Sequence, residues 1–256
     1  MKKSNLFLAG IFMSTSSVFA AEPNSTNLKA CMVLWPPFIT KAGDEIKGPD
    51  TDILKLIAER KGYTVQIQEI PWKRCLEMAE KGEVDIVYSA SKNSDREAFL
   101  YYPKTQLHTT RYVFVTKPNV KTDWATSKDP KSLPQPIGSV LGYSVTDDLK
   151  AKQVKVDDGA TTDPQNLDKF LGGRVQSFII EESVLKALLE GKYAKNKSEV
   201  NVLEPPYEDN KDYYITISKK SPQGEKVLKD FEAELEKMKK EGELEKIYKA
   251  AFKSVE

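Results

Sequence analysis

In the stretch "DIVYSASKNSDREAF", Asp85 to Phe99, an apolar run ends in hydroxyl residues and an arginine follows. Ser89, Ser91 and Arg96 together have the chemistry of an anion receiver. Hydroxyls and backbone N–H groups at a strand end can donate to an anion, and a guanidinium fork matches a carboxylate bidentately. The same residues also fit a turn and a solvated helix start, with Arg96 paired to Asp95 or Glu97. Trp35 ends one apolar run and Trp72 follows another, so each projects near the same rim. Two indoles beside such a cluster form an apolar slot with an anion receiver at one end. For either indole alone, packing at the edge of the core is the alternative. "SFIIEES" sets Glu181 and Glu182 directly after another buried run. A carboxylate there can receive an ammonium, or it can simply suit the start of a helix. Gly142 and Tyr143, after "IGSV", line the same cleft in this reading.

Catalysis asks for more than these residues offer. General acid–base work needs a poised histidine or carboxylate pair. His108 is the single histidine and is expected outside the cleft floor or merely lining it. No nucleophile–base pair or metal cluster accompanies Glu181. No catalytic residue, metal or cofactor is therefore expected.

The elements that must hold these groups alternate between two periodicities. "ACMVLW" reads as a strand ending at Pro36 and Pro37. Asp50 can cap a helix over residues 51–60, with Ile53, Leu54, Ile57 and Ala58 on one face. "YTVQIQEI" alternates as a strand, a helix over 73–80 ends at Gly82, and "VDIVYS" is the next strand. Strand, helix, strand, helix is the pattern of parallel βαβ units. The alternation breaks after "RYVFVTK" in a polar, proline-dotted stretch and restarts at "PIGSV". A helix over 144–151, a strand at "QVKV", a helix opened by an Asp163-Pro164 cap, "VQSFII", "SVLKALLEG", "EVNVLE" and "DYYITISKK" follow. The spacing thus predicts two α/β units with separate cores. In open α/β sheets ligands sit beyond the carboxyl ends of the strands, where Ser89 and Glu181 fall. The last part is helical: Val227, Leu228, Phe231, Leu235 and Met238 form one apolar stripe, and Leu244, Ile247, Tyr248 and Ala251 another.

The bulk properties bound the rest. Lys2 and Lys3, the apolar run Leu6 to Met13 and the small residues of "SVFAAE" read as a secretory signal peptide over residues 1–20, cleaved after Ala20. No later segment is apolar enough to span a bilayer. Without the two signal lysines the chain holds 37 basic and 38 acidic residues, so neither nucleic acid nor a membrane surface is an expected partner. Cys31 and Cys75 in an oxidising compartment satisfy either one disulfide or two separate buried thiols.

Taken in order, "WPPFIT", "GPDTDILKLIAERKG", "PWKRCLEMAEKGEVDIVYSASKNSDR", "IGSVLGYS", "GGRVQSFIIEESV" and the closing "ISKKSPQGEKVLKDFEAELEKMKKEGELEKIYKAAF" resemble the periplasmic solute-binding proteins of extracellular family 3. These are the polar amino-acid receptors of ABC importers. The resemblance covers nearly all of the chain after the signal. It implies a type II periplasmic-binding fold, with two lobes joined by two crossing strands and a ligand held between them. Lobe one would comprise residues 22–114 plus 215–256, and lobe two residues 115–214. It further implies that Arg96 clamps a ligand carboxylate with Ser91 beside it, that Ser89 meets an amino group, that Trp35 and Trp72 sandwich the ligand, and that Glu181 pairs with an ammonium. The implied partners are a small amino acid or carboxylate and an inner-membrane ABC permease, for a monomeric periplasmic protein. Pro49 in place of a large apolar residue, an Asp85–Arg96 interval one residue short, Tyr143 in place of threonine and Glu181 in place of aspartate set it apart from the common pattern and leave the ligand open. A periplasmic enzyme of dehydratase type on the same fold, or a ligand-sensing partner of a membrane receptor, are the alternative functions.

Overall fold

The computed structural model describes residues 27–253. The predicted signal peptide and its cleavage site lie outside the described residues. In chain order the elements are β1 (Asn27–Met32), β2 (Thr40–Ala42), β3 (Glu45–Lys47), α1 (Pro49–Arg60), β4 (Thr64–Glu69), α2 (Trp72–Lys81), β5 (Ile86–Ser91), α3 (Ser94–Glu97), β6 (Leu100–Tyr101) and β7 (His108–Thr116). They continue with α4 (Trp124–Ser127), β8 (Ile137–Val140), α5 (Ser144–Ala151), β9 (Val156–Ala160), α6 (Asp163–Leu171), β10 (Ser177–Glu181), α7 (Glu182–Glu190), β11 (Asn201–Ser218), α8 (Gly224–Lys240) and α9 (Glu243–Lys253).

One hydrogen-bonded path runs β4-β1-β5-β11-β7-β10-β8-β9. Its ends are parallel triplets, β4-β1-β5 and β10-β8-β9, as βαβ connections require. Its middle is antiparallel: β11 pairs with β5 and with β7, and β7 pairs with β10. Two long strands therefore cross from one half of the sheet to the other. The predicted strands "EVNVLE" and "DYYITISKK" are in fact one strand, the 18-residue β11. The intervening Pro205, Pro206 and charged residues read as a break, yet the ladder to β7 absorbs them through register shifts between Leu203 and Glu208 and between Glu208 and Lys211.

Buried apolar side chains likewise form one contiguous cluster, not two separate cores. Tyr112, Phe114, Tyr213 and Ile215 on the crossing strands are buried and join the two ends. Smaller corrections follow from local geometry. Asp50 does not cap α1; Gly48 holds that position with Pro49 in the first turn, and Asp50 is wholly buried. Thr162, not Asp163, caps α6 by accepting from Gln165 N. β9 is "VDDGA", not "QVKV". Gly82 ends α2 as predicted, in the left-handed region at φ 81°, where a glycine avoids the Cβ penalty. Cys31 and Cys75 form a disulfide, Cα–Cα 5.8 Å, tying β1 to α2.

Candidate functional site

The site begins with a flaw in β5. Ser89 is a non-glycine residue at φ 56°, a conformation that costs on the order of 1 kcal/mol or more. The register against β11 shifts at the same place, from Ile215↔Tyr88 to Tyr214↔Ala90, leaving Ser89 without a partner. Such a bulge re-aims a side chain at a strand end. Here the Ser89 hydroxyl donates to the buried carboxylate of Asp50. Asp50 in turn accepts from Tyr248 OH at 2.6 Å and lies 3.1 Å from His108 Nε2. The carboxylate offered by the sequence as a cap thus anchors the bulge instead. His108 stacks on Phe38 and on Tyr213 behind the site.

Arg96 enters from the short helix α3, whose first turn is capped by Asn93 Oδ1 accepting from Arg96 N. Arg96 as a whole is buried, at 4 % exposure. Nη1 donates to Ser91 O at 2.8 Å and to Ser91 Oγ at 2.9 Å, and Nη2 donates to Gly142 O at 2.9 Å. These three bonds do not exhaust its five N–H groups. The guanidinium also lies over the Trp72 ring, 5.4 Å from the centroid, within cation–π range. Trp72 Nε1 donates to the same Gly142 carbonyl at 3.1 Å. Gly142 sits at φ 80°, and a Cβ there would come within 3.2 Å of Lys73. The loop after β8 therefore closes directly on the residues that open α2, and Ser144 Oγ adds a 2.9 Å contact to Ser91 Oγ.

Between these elements lies a narrow cavity. Of the candidate residues, Trp35, Trp72, Ser89, Ser91, Arg96 and Tyr143 line it. Gly142 instead lines the adjoining groove with Lys73 and Leu141, and reaches the site through its carbonyl. Glu181 is off the wall. It caps α7, with Oε2 accepting from Val184 N at 2.6 Å, and its Oε1 is buried without a partner. Sequence reasoning missed Tyr88, Tyr112, Tyr213 and Ser144 on the wall. Tyr112 and Tyr213 lie on the crossing strands, whose convergence no local pattern encodes. Tyr88 precedes Ser89 and reaches the wall because the bulge breaks the usual alternation of faces.

Two buried carboxyls stand behind the tyrosines. Asp163 accepts from Tyr143 OH at 2.9 Å, and burial pushes its pKa up to about 6. Burial likewise raises Glu181 to about 7, against backbone and hydroxyl donors from Val184 and Ser183 that pull the other way. Because the folded value lies above the ordinary 4.5, the native state holds the extra proton, and Glu181 withdraws stability as pH rises from about 4.5 to about 7. At 1.36 kcal/mol per pH unit this amounts to up to about 3 kcal/mol. Glu181→Gln keeps an acceptor for Val184 N and has no such charge. Its stability relative to the parent, measured by urea unfolding, should be near zero or negative at pH 4.5 and increasingly favourable by pH 8. A difference that does not change across that window would show that Glu181 ionises freely.

Two halves of a sheet, joined by crossing strands and meeting over a guanidinium and a ring-lined cavity, define a two-part ligand-capture architecture. The chain belongs to the bacterial extracellular solute-binding proteins, family 3, whose sequence model matches residues 29–254. It is 23% identical over 220 residues to the arginine-binding extracellular protein ArtP of Bacillus subtilis (strain 168), covering 85% of this chain and 82% of that one. It is 22% identical over 240 residues to a probable histidine-binding protein of Neisseria gonorrhoeae, covering 91% and 85%. Among solved structures, an ancestral arginine-binding protein bound to arginine superposes with a TM-score of 0.74 at 21% identity, over 89% of this chain and 98% of the other. The fold is accordingly that of type II periplasmic binding proteins. Among the described residues, no helix is long and apolar enough to cross a membrane.

Proposed function

We propose that this protein captures a small carboxylate-bearing solute, an amino acid or a close relative, between its two lobes and delivers it to an ABC permease. The observation that carries the reading is the buried Arg96, stacked on Trp72 and facing a cavity built by both halves of the sheet. Relatives described as binding arginine or histidine support an amino-acid-like ligand. In this reading Arg96 and Ser91 receive the carboxylate, Trp35 and Trp72 flank the ligand, Ser89 contacts its other end, and Gly142, with Tyr143 beside it, closes from lobe two. Glu181, off the wall, acts on the ligand at most through its charge. Lobe one is residues 22–114 plus 215–256, and lobe two residues 115–214. The flexure falls where the ladder between β7 and β11 is interrupted, around Glu208 to Lys211. Ligand contacts to both lobes then favour the closed form. The protein acts as a binding protein without turnover, as a monomer in the periplasm, after removal of residues 1–20.

A thermal-shift screen of amino acids and small carboxylates tests this reading. A true ligand at 100-fold over its dissociation constant stabilises by ~2.7 kcal/mol, which raises Tm by roughly 5–10 °C for a chain of this size. No shift with any carboxylate sinks the proposal. Conversion of a bound acid to product by the pure protein would favour the enzyme alternative.

A further inference from the structure

The cavity wall is uneven in what it offers a ligand. Among the described residues that line it, Arg96 is the one charged side chain and none is a carboxylate. Six of its lining residues carry aromatic rings: Trp35, Trp72, Tyr88, Tyr112, Tyr143 and Tyr213. The tyrosine hydroxyls are engaged elsewhere, Tyr88 with Thr51, Tyr143 with Asp163, and Tyr213 with Tyr112. Ser89 donates to Asp50, and Ser91 and Ser144 share a hydrogen bond. The buried polar side-chain atom left without a partner on this wall is a donor, Trp35 Nε1.

A primary ammonium entering such a site would lose the water on its three N–H groups and meet neutral hydroxyl oxygens already held in hydrogen bonds, with no carboxylate among the lining residues to take its charge directly. That loss is costly. A nitrogen whose hydrogens are replaced by alkyl groups has no N–H to satisfy. It is attracted by aromatic rings, which make up half of the residues lining the wall. The second layer supports a positive charge without touching it. Asp50 stands one hydrogen bond behind Ser89, and Asp163 one behind Tyr143. Fields from buried carboxylates act strongly across a poorly solvated cavity.

We propose that the ligand of this site is a small zwitterion with a carboxylate for Arg96 and a fully alkylated ammonium for the aromatic rings, a deepening that rests on the capture reading above. The test is calorimetric titration of the purified protein with matched series: glycine, N,N-dimethylglycine and N,N,N-trimethylglycine, then proline and N,N-dimethylproline, with the common amino acids alongside. Affinity should rise at least tenfold from parent amine to fully methylated member, ~1.4 kcal/mol. Tyr143→Phe, which keeps the ring, should preserve that rise, and Trp72→Leu should abolish it. If any parent amine or common amino acid binds as tightly as the best methylated compound, the inference is overturned and the capture reading stands. Loss of the preference in Tyr143→Phe would overturn it too, since hydroxyl bonding would then set selectivity. Absence of binding throughout both series also overturns it; the capture reading fails with it only if the broader carboxylate screen is empty as well.

Discussion

Arg96→Ala lowers affinity for the carboxylate ligand by at least ~30-fold while leaving a folded protein. The guanidinium is buried and held in place by Ser91 and by the Gly142 carbonyl. Breaking a desolvated charge pair costs on the order of 2–5 kcal/mol, and each 1.4 kcal/mol is a factor of ten. The substitution also strips donors from Ser91 O, Ser91 Oγ and Gly142 O, so some loss of Tm accompanies it. Binding should therefore be titrated on protein whose circular dichroism matches the parent. Arg96→Lys separates charge from geometry. A lysine keeps the positive charge but not the planar fork, and its affinity should fall between the two. Unchanged affinity in Arg96→Ala would remove this residue from the site and leave the cavity without its anion receiver.

The second large effect is on stability. Joint replacement of Cys31 and Cys75 by alanine should destabilise by about 4 kcal/mol, from the chain-entropy relation for a bridge closing a sequence separation of 44. At ~2–4 °C per kcal/mol for a chain of this size, Tm should fall by roughly 8–16 °C. The bridge joins the strand that leads to Trp35 and the helix that begins with Trp72, so its loss also loosens the distance between the two indoles. Urea unfolding of the double variant, with and without saturating ligand, measures both consequences. A stability loss below about 1 kcal/mol would show that the unfolded chain is already restrained around this loop.

Much of this molecule can be read from periodicity. The α5 boundaries, the α2 helix to within one residue at each end, the Gly82 stop and the Val227, Phe231, Leu235, Met238 stripe of α8 are local signals that the structure bears out. That Trp35, Trp72, Ser89, Ser91 and Arg96 share one cavity wall is legible as well, because each lies at or just past a strand end. The failures share a cause. Asp50 looks like a helix cap because capping is the local use of an aspartate; its actual partners, Ser89, His108 and Tyr248, come from β5, β7 and α9. For Glu181 the sequence leaves an ammonium receiver and a helix start both open, and only the fold shows its carboxylate turned back to Val184 N.

The amino-acid sequence alone determined the α/β alternation and the apolar faces of the helices. Each depends on residues within one or two turns of each other. Tertiary structure alone decided that β11 is a single strand, that Tyr112 and Tyr213 reach the cavity, that Gly142 closes on Arg96, and that no carboxylate of the described residues lies on the wall. Those outcomes depend on which strands cross and where a ladder slips. Pairing energies between segments about a hundred residues apart set them, and such contacts leave no periodic mark on either segment.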